Sequence, residues 1–502
     1  MTVSPLIPRA DILPNTLEYE ITPLVKATGF REYDARWILE KEINLLGIQA
    51  LGLGLGTLIH QQGVQPRIAV GHDFRSYSLS VKQALMLGLV ASGCEVLDIG
   101  LALSPMAYFA QFDLDAPCVA MVTASHNENG WTGVKMGSDR PKTFGPEQIG
   151  PLKDIVLGGL GVERPGGVVH RIDGLRERYI AEVSKAKVTR KLRVVAACGN
   201  GTAGAFAPEA LKRMGVEVIP MDTELDWTFP KYNPNPEDQE MLHAMAEAVK
   251  REGADLALGF DGDGDRCGVV DDLGEEIFAD KIGLLLARDL SALHKDATFV
   301  VDVKSTGLYA TDPVLKANGA TVVYWKTGHS YIKRKTAELG ALAGFEKSGH
   351  FFFNAPLGYG YDDGLVAASA ILQMLDRNPG KTLSELRKSL PPAFTSLTMS
   401  PHVADEVKYG LVDKIIAEYQ ALAAKGGQIL GRNIKELITV NGVRVALDDG
   451  SWVLVRASSN KPEIVVVVES MRSEDDMRDL FRKEVKPRLA AHPEVGAYNQ
   501  EI

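Results

Sequence analysis

The pattern that most constrains this chain is an alternation of short apolar runs with helical stretches, repeated three times and then abandoned. In the first block, Arg67-Ile-Ala-Val-Gly71 leads to the helical pattern Ser78 to Ser92. Glu95-Val-Leu-Asp-Ile99 leads to another near Pro105, and Cys118-Val-Ala-Met-Val runs on to Ser125. The second block places Arg193-Val-Val-Ala-Ala197 before a helix from Ala205 to Met214, then Glu217-Val-Ile219, a helix from Met241 to Lys250, and a strand ending at Asp261. The third begins at Ala297-Thr-Phe-Val-Val-Asp302, continues through a helix from Leu308 to Asn318 and Thr321-Val-Val-Tyr324, and reaches a helix from Leu365 to Leu375. Such alternation predicts mostly parallel sheets with helices on both faces.

Pro391 and Pro392 end that pattern. Beyond them a long helix from Ala404 to Lys425 precedes the strands Glu436 to Asn441, Val443 to Leu447, Trp452 to Arg456 and Ile464 to Glu469, with Asp449-Gly450 as a hairpin turn. With 502 residues the chain is too long for one core. At roughly 150 residues per domain it divides into about three or four. The expected division is α/β over 1–172, 173–280 and 281–390, then a smaller α+β domain over 391–502. The three α/β units read as one fold used three times, although residue identity between them is too low to establish a repeat.

A formal charge of −10 argues against general nucleic-acid binding, which needs a basic face. A small anionic substrate needs only a local cluster of cations, and Arg31, Arg36, Lys135, Arg266, Lys304, Lys326 and Arg456 supply candidates. The four cysteines, Cys94, Cys118, Cys198 and Cys267, have no CxxC spacing and sit mostly in apolar runs, so they read as reduced thiols of a cytoplasmic protein. Met1 to Leu17 lacks the basic and apolar blocks of a signal peptide. Leu45 to Ile59 is shorter than the about 20 residues that a bilayer span requires and reads as a packed helix.

Two loops carry the chemistry. The apolar run from Cys118 delivers Ser125-His126-Asn127 into a Gly-containing loop, where open α/β sheets place their sites, so Ser125 is a candidate nucleophile or phosphoryl carrier. Farther on, Asp261-Gly262-Asp263-Gly264-Asp265-Arg266 puts three carboxylates at alternate positions around glycines, an arrangement suited to one hard cation. It is not an EF-hand, because Arg266 stands where that loop needs Gly and the segment follows a strand. Gly199-Asn-Gly201-Thr-Ala-Gly204 with Asp222 formally matches a dinucleotide fingerprint, but small residues that let the helix of an ordinary βαβ unit pack close to its strand are the better account of it.

Together these loops resemble the α-D-phosphohexomutase superfamily, within it the bacterial phosphomannomutase/phosphoglucomutase group. The resemblance extends in order through Phe30-Arg31-Glu32-Tyr33-Asp34-Ala35-Arg36, Asp302-Val303-Lys304-Ser305-Thr306, Trp325-Lys326-Thr327-Gly328-His329-Ser330, Glu346-Lys347-Ser348-Gly349-His350 and Arg456-Ala457-Ser458-Ser459-Asn460. The chain departs from the family at Trp37, usually Gly, at Glu128, often Pro, at Lys347, usually Met, and at Ser459-Asn460, where the last loop usually has Asn-Thr.

The resemblance implies three related mixed α/β domains in series plus a smaller C-terminal α+β domain, with the active site in the central cleft. It also implies an isomerase that interconverts hexose 6-phosphate and hexose 1-phosphate, of mannose, glucose or both, through a phosphoserine and a hexose 1,6-bisphosphate. Ser125 would carry the phosphoryl group and, with Asp261, Asp263 and Asp265, bind one Mg²⁺. Lys135 and Arg266 would stabilise the transferred group, and Arg36, Lys135 and His350 are candidates for the general acid and base. Tyr33, Lys304, Thr327, Gly328, His329, Glu346, Ser348, Arg456, Ser458, Ser459 and Asn460 would bind substrate, with Glu346 and Ser348 on the 3- and 4-hydroxyls that glucose and mannose share. Hexose 1,6-bisphosphate would serve as activator, and the protein would be a monomer or small homo-oligomer with no nucleic-acid or membrane partner. The rival readings are a phosphoglucosamine mutase, whose sugar loop usually has Gln after the Glu, and a metal-dependent sugar phosphatase.

Overall fold

The computed structural model describes residues 6–459 and 461–502. The chain falls into two compact units, one running to Ile277 and including Ser348–Ser384, the other formed by Phe278–Lys347 and Glu385–Ile502.

In the first unit β1 (Ala35–Ile38), β2 (Arg67–His72), β3 (Glu95–Leu101), β4 (Cys118–Val122), β5 (Trp131–Gly137) and β6 (Val168–Arg171) make one sheet in the order β1-β5-β4-β2-β3-β6. β4, β2, β3 and β6 are parallel, β5 is antiparallel to β4, and β1 is antiparallel to β5. β4 is apolar on both faces and fully buried, as a central strand must be. Behind it, the helices Leu45–Gln61 and Ser78–Ala91 approach at Gly52 and Gly88, where a Cβ would strike the main chain of the opposite helix. Trp37, unexplained by the sequence, is fully buried beside Gly29, where any Cβ would collide with its ring, and donates Nε1–H to Lys26 O at 2.8 Å.

The same unit holds a second sheet of β7 (Arg193–Ala197), β8 (Glu217–Met221), β9 (Leu256–Phe260), β10 (Cys267–Val270) and β11 (Glu276–Ile277), ordered β11-β10-β9-β7-β8. Here too a parallel trio is followed by a strand antiparallel to its last-formed member, β10 against β9. In the other unit β12 (Thr298–Asp302) lies between parallel partners β13 (Thr321–Trp325) and β14 (Ala343–Phe345). The trios β4-β2-β3, β9-β7-β8 and β14-β12-β13 share one strand order. Ser125, Asp261 and Glu346 each follow the third strand of their trio, so the repetition missing from residue identity is present in topology. After β14 the chain enters β15 (Phe351–Phe353) of the first unit.

The C-terminal segment forms an antiparallel sheet of β16 (Phe394–Thr395), β17 (Gln428–Ile429), β18 (Arg432–Ile438), β19 (Val443–Leu447), β20 (Trp452–Ala457) and β21 (Ile464–Ser470), ordered β16-β21-β20-β19-β18-β17. The helix Asp405–Ala424 packs on it through Leu411, Val412, Ile415 and Tyr419.

The sheets of the first unit are mixed, as the resemblance implied, with β1, β5, β10 and β11 adding antiparallel pairings to the parallel trios. Some element bounds need correction. The helix expected from Leu308 to Asn318 breaks into Leu308–Thr311 and Pro313–Ala317, since Pro313 starts a new turn that Asp312 caps through the N–H groups of Val314 and Leu315. The strand expected at Glu436 to Asn441 lies at Arg432–Ile438, with a register shift between Ile434 and Glu436. No helix among the described residues is long and apolar enough to cross a membrane.

Candidate active site

Ser125 sits in the connection from β4 to β5, almost completely buried and in the left-handed region at φ 53°. Its N–H donates to Thr123 Oγ1 at 2.9 Å, and its hydroxyl donates to Asp261 Oδ2 at 3.2 Å. His126 Nδ1 lies 3.2 Å from the same hydroxyl oxygen. Burial, with the charges of Arg266 and Arg36, pushes the His126 imidazole well below its usual range, so it meets Ser125 as a neutral ring.

The β9–β10 connection supplies the acidic loop. Asp261, Asp263 and Asp265 are fully buried, and one carboxylate oxygen from each lies within 4.8 Å of the others. Burial and the carboxylates of Asp265 and Asp263 push Asp261 well above the usual range. Asp263 and Asp265 are held low against burial, Asp263 chiefly by Lys135 and Asp265 by Lys135, His350 and Arg266. Lys135 projects from β5 and donates to Asp263 Oδ2 at 2.7 Å and to Asp265. Ser104, at the start of the helix Ser104–Asp113, donates to Asp263 Oδ2 at 2.6 Å. Asp263 Oδ1 is buried with no hydrogen-bond partner among the described residues, and Asp265 Oδ1 meets His350 Nε2 at 3.4 Å. Three crowded carboxylates, one oxygen without a donor, and a serine hydroxyl on the first of them fit a hard divalent cation.

The remaining candidates of this unit surround that pair of loops. Arg36 donates Nε–H to Asp34 Oδ2 at 2.8 Å and Nη1–H to Asn127 Oδ1 at 2.8 Å; Asp34 outweighs burial and keeps the guanidinium charged. Arg266 donates its N–H to Asp261 Oδ1 at 3.2 Å and Nη1–H to Glu237 at 3.1 Å. His350 Nδ1 is 2.9 Å from Ser348 Oγ, and a backbone bridge pairs Arg266 with His350. Tyr33 is half-buried in the turn before β1.

In the other unit Asp302 organises three candidate segments. Its carboxylate accepts from Thr327 Oγ1 at 2.9 Å, from Ser305 Oγ at 2.6 Å and from Lys347 N–H at 3.2 Å, which ties the Lys304 loop to those of Thr327 and Glu346. Arg444, sandwiched between Trp452 and Tyr324, donates to Val303 O and Ser305 O on either side of Lys304, both at 2.6 Å. Gly328, at φ 128°, precedes the helix His329–Leu339, and His329 and Glu346 are buried. Arg456 is the penultimate residue of β20 and donates to Ala457 O at 2.9 Å; Ser458 N–H donates to Glu463 O at 3.0 Å, Ser459 is half-buried, and Asn460 lies outside the described residues.

Sequence reasoning missed several supporting groups: Asp34 on Arg36, Ser104 on Asp263, Asp302 in the other unit, and Arg75, whose guanidinium reaches Ser125 O. The glycine segment Gly199–Gly204 turns out to buttress the acidic loop, with Thr202 N–H donating to Gly262 O at 3.1 Å.

Four consecutive stretches match models of phosphoglucomutase/phosphomannomutase: α/β/α domain I over 27–158, domain II over 173–274, domain III over 278–394 and the C-terminal domain over 405–486. The chain is 33% identical to a phosphomannomutase/phosphoglucomutase of Pseudomonas syringae over 471 residues, covering 93% of this chain and 97% of that one. It is 34% identical to a phosphoglucomutase of Neisseria gonorrhoeae over 448 residues, 88% of this chain and 92% of the relative. A crystal structure of a phosphoglucomutase/phosphomannomutase family protein from Burkholderia thailandensis superposes with a TM-score of 0.84 at 29% identity, covering 94% of this chain and 99% of that one. With its four domain types matched in order along its length, the chain belongs to the phosphoglucomutase/phosphomannomutase family.

Proposed function

We propose that the mutase reaction of this chain, interconversion of hexose 6-phosphate and hexose 1-phosphate, runs through a phosphorylated Ser125 and a hexose 1,6-bisphosphate of glucose, mannose or both. The observation that carries this reading is the Ser125 hydroxyl 3.2 Å from Asp261 Oδ2, at the edge of the acidic triad. In the first half-reaction the bond from phosphorus to Ser125 Oγ breaks as one forms to the free sugar hydroxyl, whose proton passes to a base. The bisphosphate turns end for end and its other phosphate returns to Ser125.

Three groups were candidates for the base. Arg36 and Lys135 are held protonated by Asp34 and by Asp263 with Asp265, which favours His350 as proton acceptor and leaves the two cations, with Arg266, as donors to the transferred phosphoryl group. Asp261, Asp263, Asp265 and a phosphate oxygen on Ser125 would hold Mg²⁺, which supplies electrophilic activation of the phosphoryl group. Glu346 and Ser348 are assigned to the shared sugar hydroxyls, Arg456, Ser458, Ser459 and Asn460 to the phosphate that is not reacting, and Tyr33, Lys304, Thr327, Gly328 and His329 to the rest of the substrate. Hexose 1,6-bisphosphate is the assigned activator. Domain limits at 172, 280 and 390, each close to a matched stretch, complete the assignment together with a cytoplasmic location and a monomeric or small homo-oligomeric state. Four free, buried cysteines agree with a reducing compartment.

Intact mass with and without glucose 1,6-bisphosphate, followed by peptide mapping, tests the carrier. One added phosphate on Ser125 is expected, Ser125→Ala should lose turnover on both 1-phosphates in a coupled assay, and EDTA should abolish activity until Mg²⁺ returns. Phosphate on another residue would sink the carrier assignment.

A further inference from the structure

Every carbonyl in the segment Ser125-His126-Asn127 is gripped by a distant side chain. Arg75 Nη2 donates to Ser125 O at 3.0 Å and to Asn127 O at 2.7 Å, and Asn233 Nδ2 donates to His126 O at 2.6 Å. Arg75 is 3% exposed, and its own placement is fixed from several sides. Its other terminal nitrogen pairs with Asp73, and its N–H donates to Asp73 Oδ1 at 3.2 Å. The Phe229 ring centroid lies 5.5 Å from its guanidinium carbon. Asp73 is in turn held by Ser78 Oγ at 2.5 Å and itself accepts the N–H of Ala124, the residue before Ser125, at 3.3 Å.

This arrangement answers a physical problem. Ser125 occupies the left-handed region, which strains a residue with a Cβ and persists only where the surroundings over-determine it. A flexible loop would relax, and the hydroxyl would leave Asp261. A planar guanidinium spanning two carbonyls resists that relaxation because both bonds break if the loop flips.

We propose that Arg75, anchored by Asp73, is a positioning residue for phosphoryl transfer: it holds the Ser125 main chain in its left-handed conformation so that the hydroxyl faces the acidic triad. The proposal rests on the reading of Ser125 as the phosphoryl carrier. Arg75 reaches Ser125 through the carbonyl oxygen, so its loss should act on alignment and leave substrate affinity in place.

The test compares Arg75→Met, Arg75→Ala and Arg75→Lys with Ile68→Ala, a core substitution in β2 of the same sheet that matches a purely structural loss. Misplacing a reacting group by about 1 Å costs on the order of a hundredfold, so Arg75→Met should lower kcat by about that factor. KM for glucose 1-phosphate should stay within about threefold, the split expected for lost transition-state alignment. Added guanidinium should raise kcat of Arg75→Ala by about tenfold or more and leave Ile68→Ala unchanged. An unchanged kcat, or a decrease that merely tracks the fall in Tm seen for Ile68→Ala, would overturn the proposal. Should Arg75→Met not fold, Arg75→Lys, which keeps the charge beside Asp73 but not the fork, is judged by the same criteria. Peptide mapping of the wild type separates the two levels of inference. Phosphate away from Ser125 removes the carrier reading and this proposal together, whereas phosphate on Ser125 with kcat indifferent to Arg75 removes this proposal alone.

Discussion

Lys135 Nζ lies 2.7 Å from Asp263 Oδ2, so a cation carried by β5 is buried inside the acidic loop that follows β9. Burial alone would drive the amine to lose its proton; Asp263 and Asp265 reverse that and hold it well above the ordinary lysine range. Its charge offsets part of the triad's repulsion and, in the proposed mechanism, makes it a donor to the phosphoryl group on Ser125. Lys135→Met should lower turnover by about a hundredfold or more, the scale of losing one preorganised donor. Mg²⁺ affinity measured by calorimetry should not fall, because the substitution removes a competing cation. Weaker Mg²⁺ binding with normal turnover would contradict this role.

Gly262 makes a sharper demand on the same contact. A Cβ there would overlap the Ser125 carbonyl oxygen, the atom that Arg75 also grips, and neither side has a flexible end to yield. Gly262→Ala should therefore displace Ser125 from Asp261 and reduce kcat by on the order of a hundredfold. Thermal unfolding should shift modestly in comparison. Turnover within about twofold of wild type would show that the two loops are not coupled through this contact.

The capping residue Asp363 gives a pH signature. It accepts the N–H groups of Leu365 and Val366, at 2.8 and 3.1 Å, and the Tyr179 hydroxyl at 3.0 Å. Burial nevertheless pushes its carboxyl from 3.8 up to about 7. The folded state thus holds a proton that the unfolded chain releases at lower pH. The linked stability is complete below about pH 4 and is lost as pH rises through about pH 7, with a ceiling of about 4 kcal/mol. Asp363→Asn keeps a capping side chain and removes the titration. Urea unfolding of both proteins from about pH 4 to about pH 8 should show the wild type losing stability relative to the variant, and parallel profiles would refute the assignment.

The Ser125 and Asp261–Asp265 loops could be singled out in the sequence because each motif is contiguous: an apolar strand followed by its polar candidate residues. The groups that aim those residues could not. Arg75 is 50 positions from Ser125, Asn233 is 107 from His126 and Ser104 is 159 from Asp263, and no local pattern marks such pairs. β5 escaped notice for a related reason. It is buried yet interleaves Thr132, Gly133 and Lys135 with apolar residues, because one of its side chains must reach the acidic loop. Pro313 was misread as helix interior because it follows apolar spacing that continues across the break. Topology carried the repetition that residue identity had hidden: three trios in one strand order, with a candidate site loop after the third strand of each.

Arg456 separates a mutase from a phosphatase. A mutase must grip the phosphate that is not reacting in both orientations of the bisphosphate, whereas a phosphatase releases its product after one transfer. Arg456 lies buried near the end of β20, two residues before Ser458, whose N–H is fixed to Glu463 O at 3.0 Å, so the segment offers a guanidinium fork on a tied backbone. Arg456→Ala should weaken the 1-phosphate and the 6-phosphate alike, by about 2–3 kcal/mol if the contact is bidentate and charge-assisted. The same change should increase escape of hexose 1,6-bisphosphate, since the turning intermediate loses an anchor. Apparent affinities for both monophosphates, and bisphosphate released per turnover, measure the two effects. Loss confined to one monophosphate would mean that Arg456 serves a single orientation. Inorganic phosphate as the main wild-type product would show that the intermediate is never held for its second transfer.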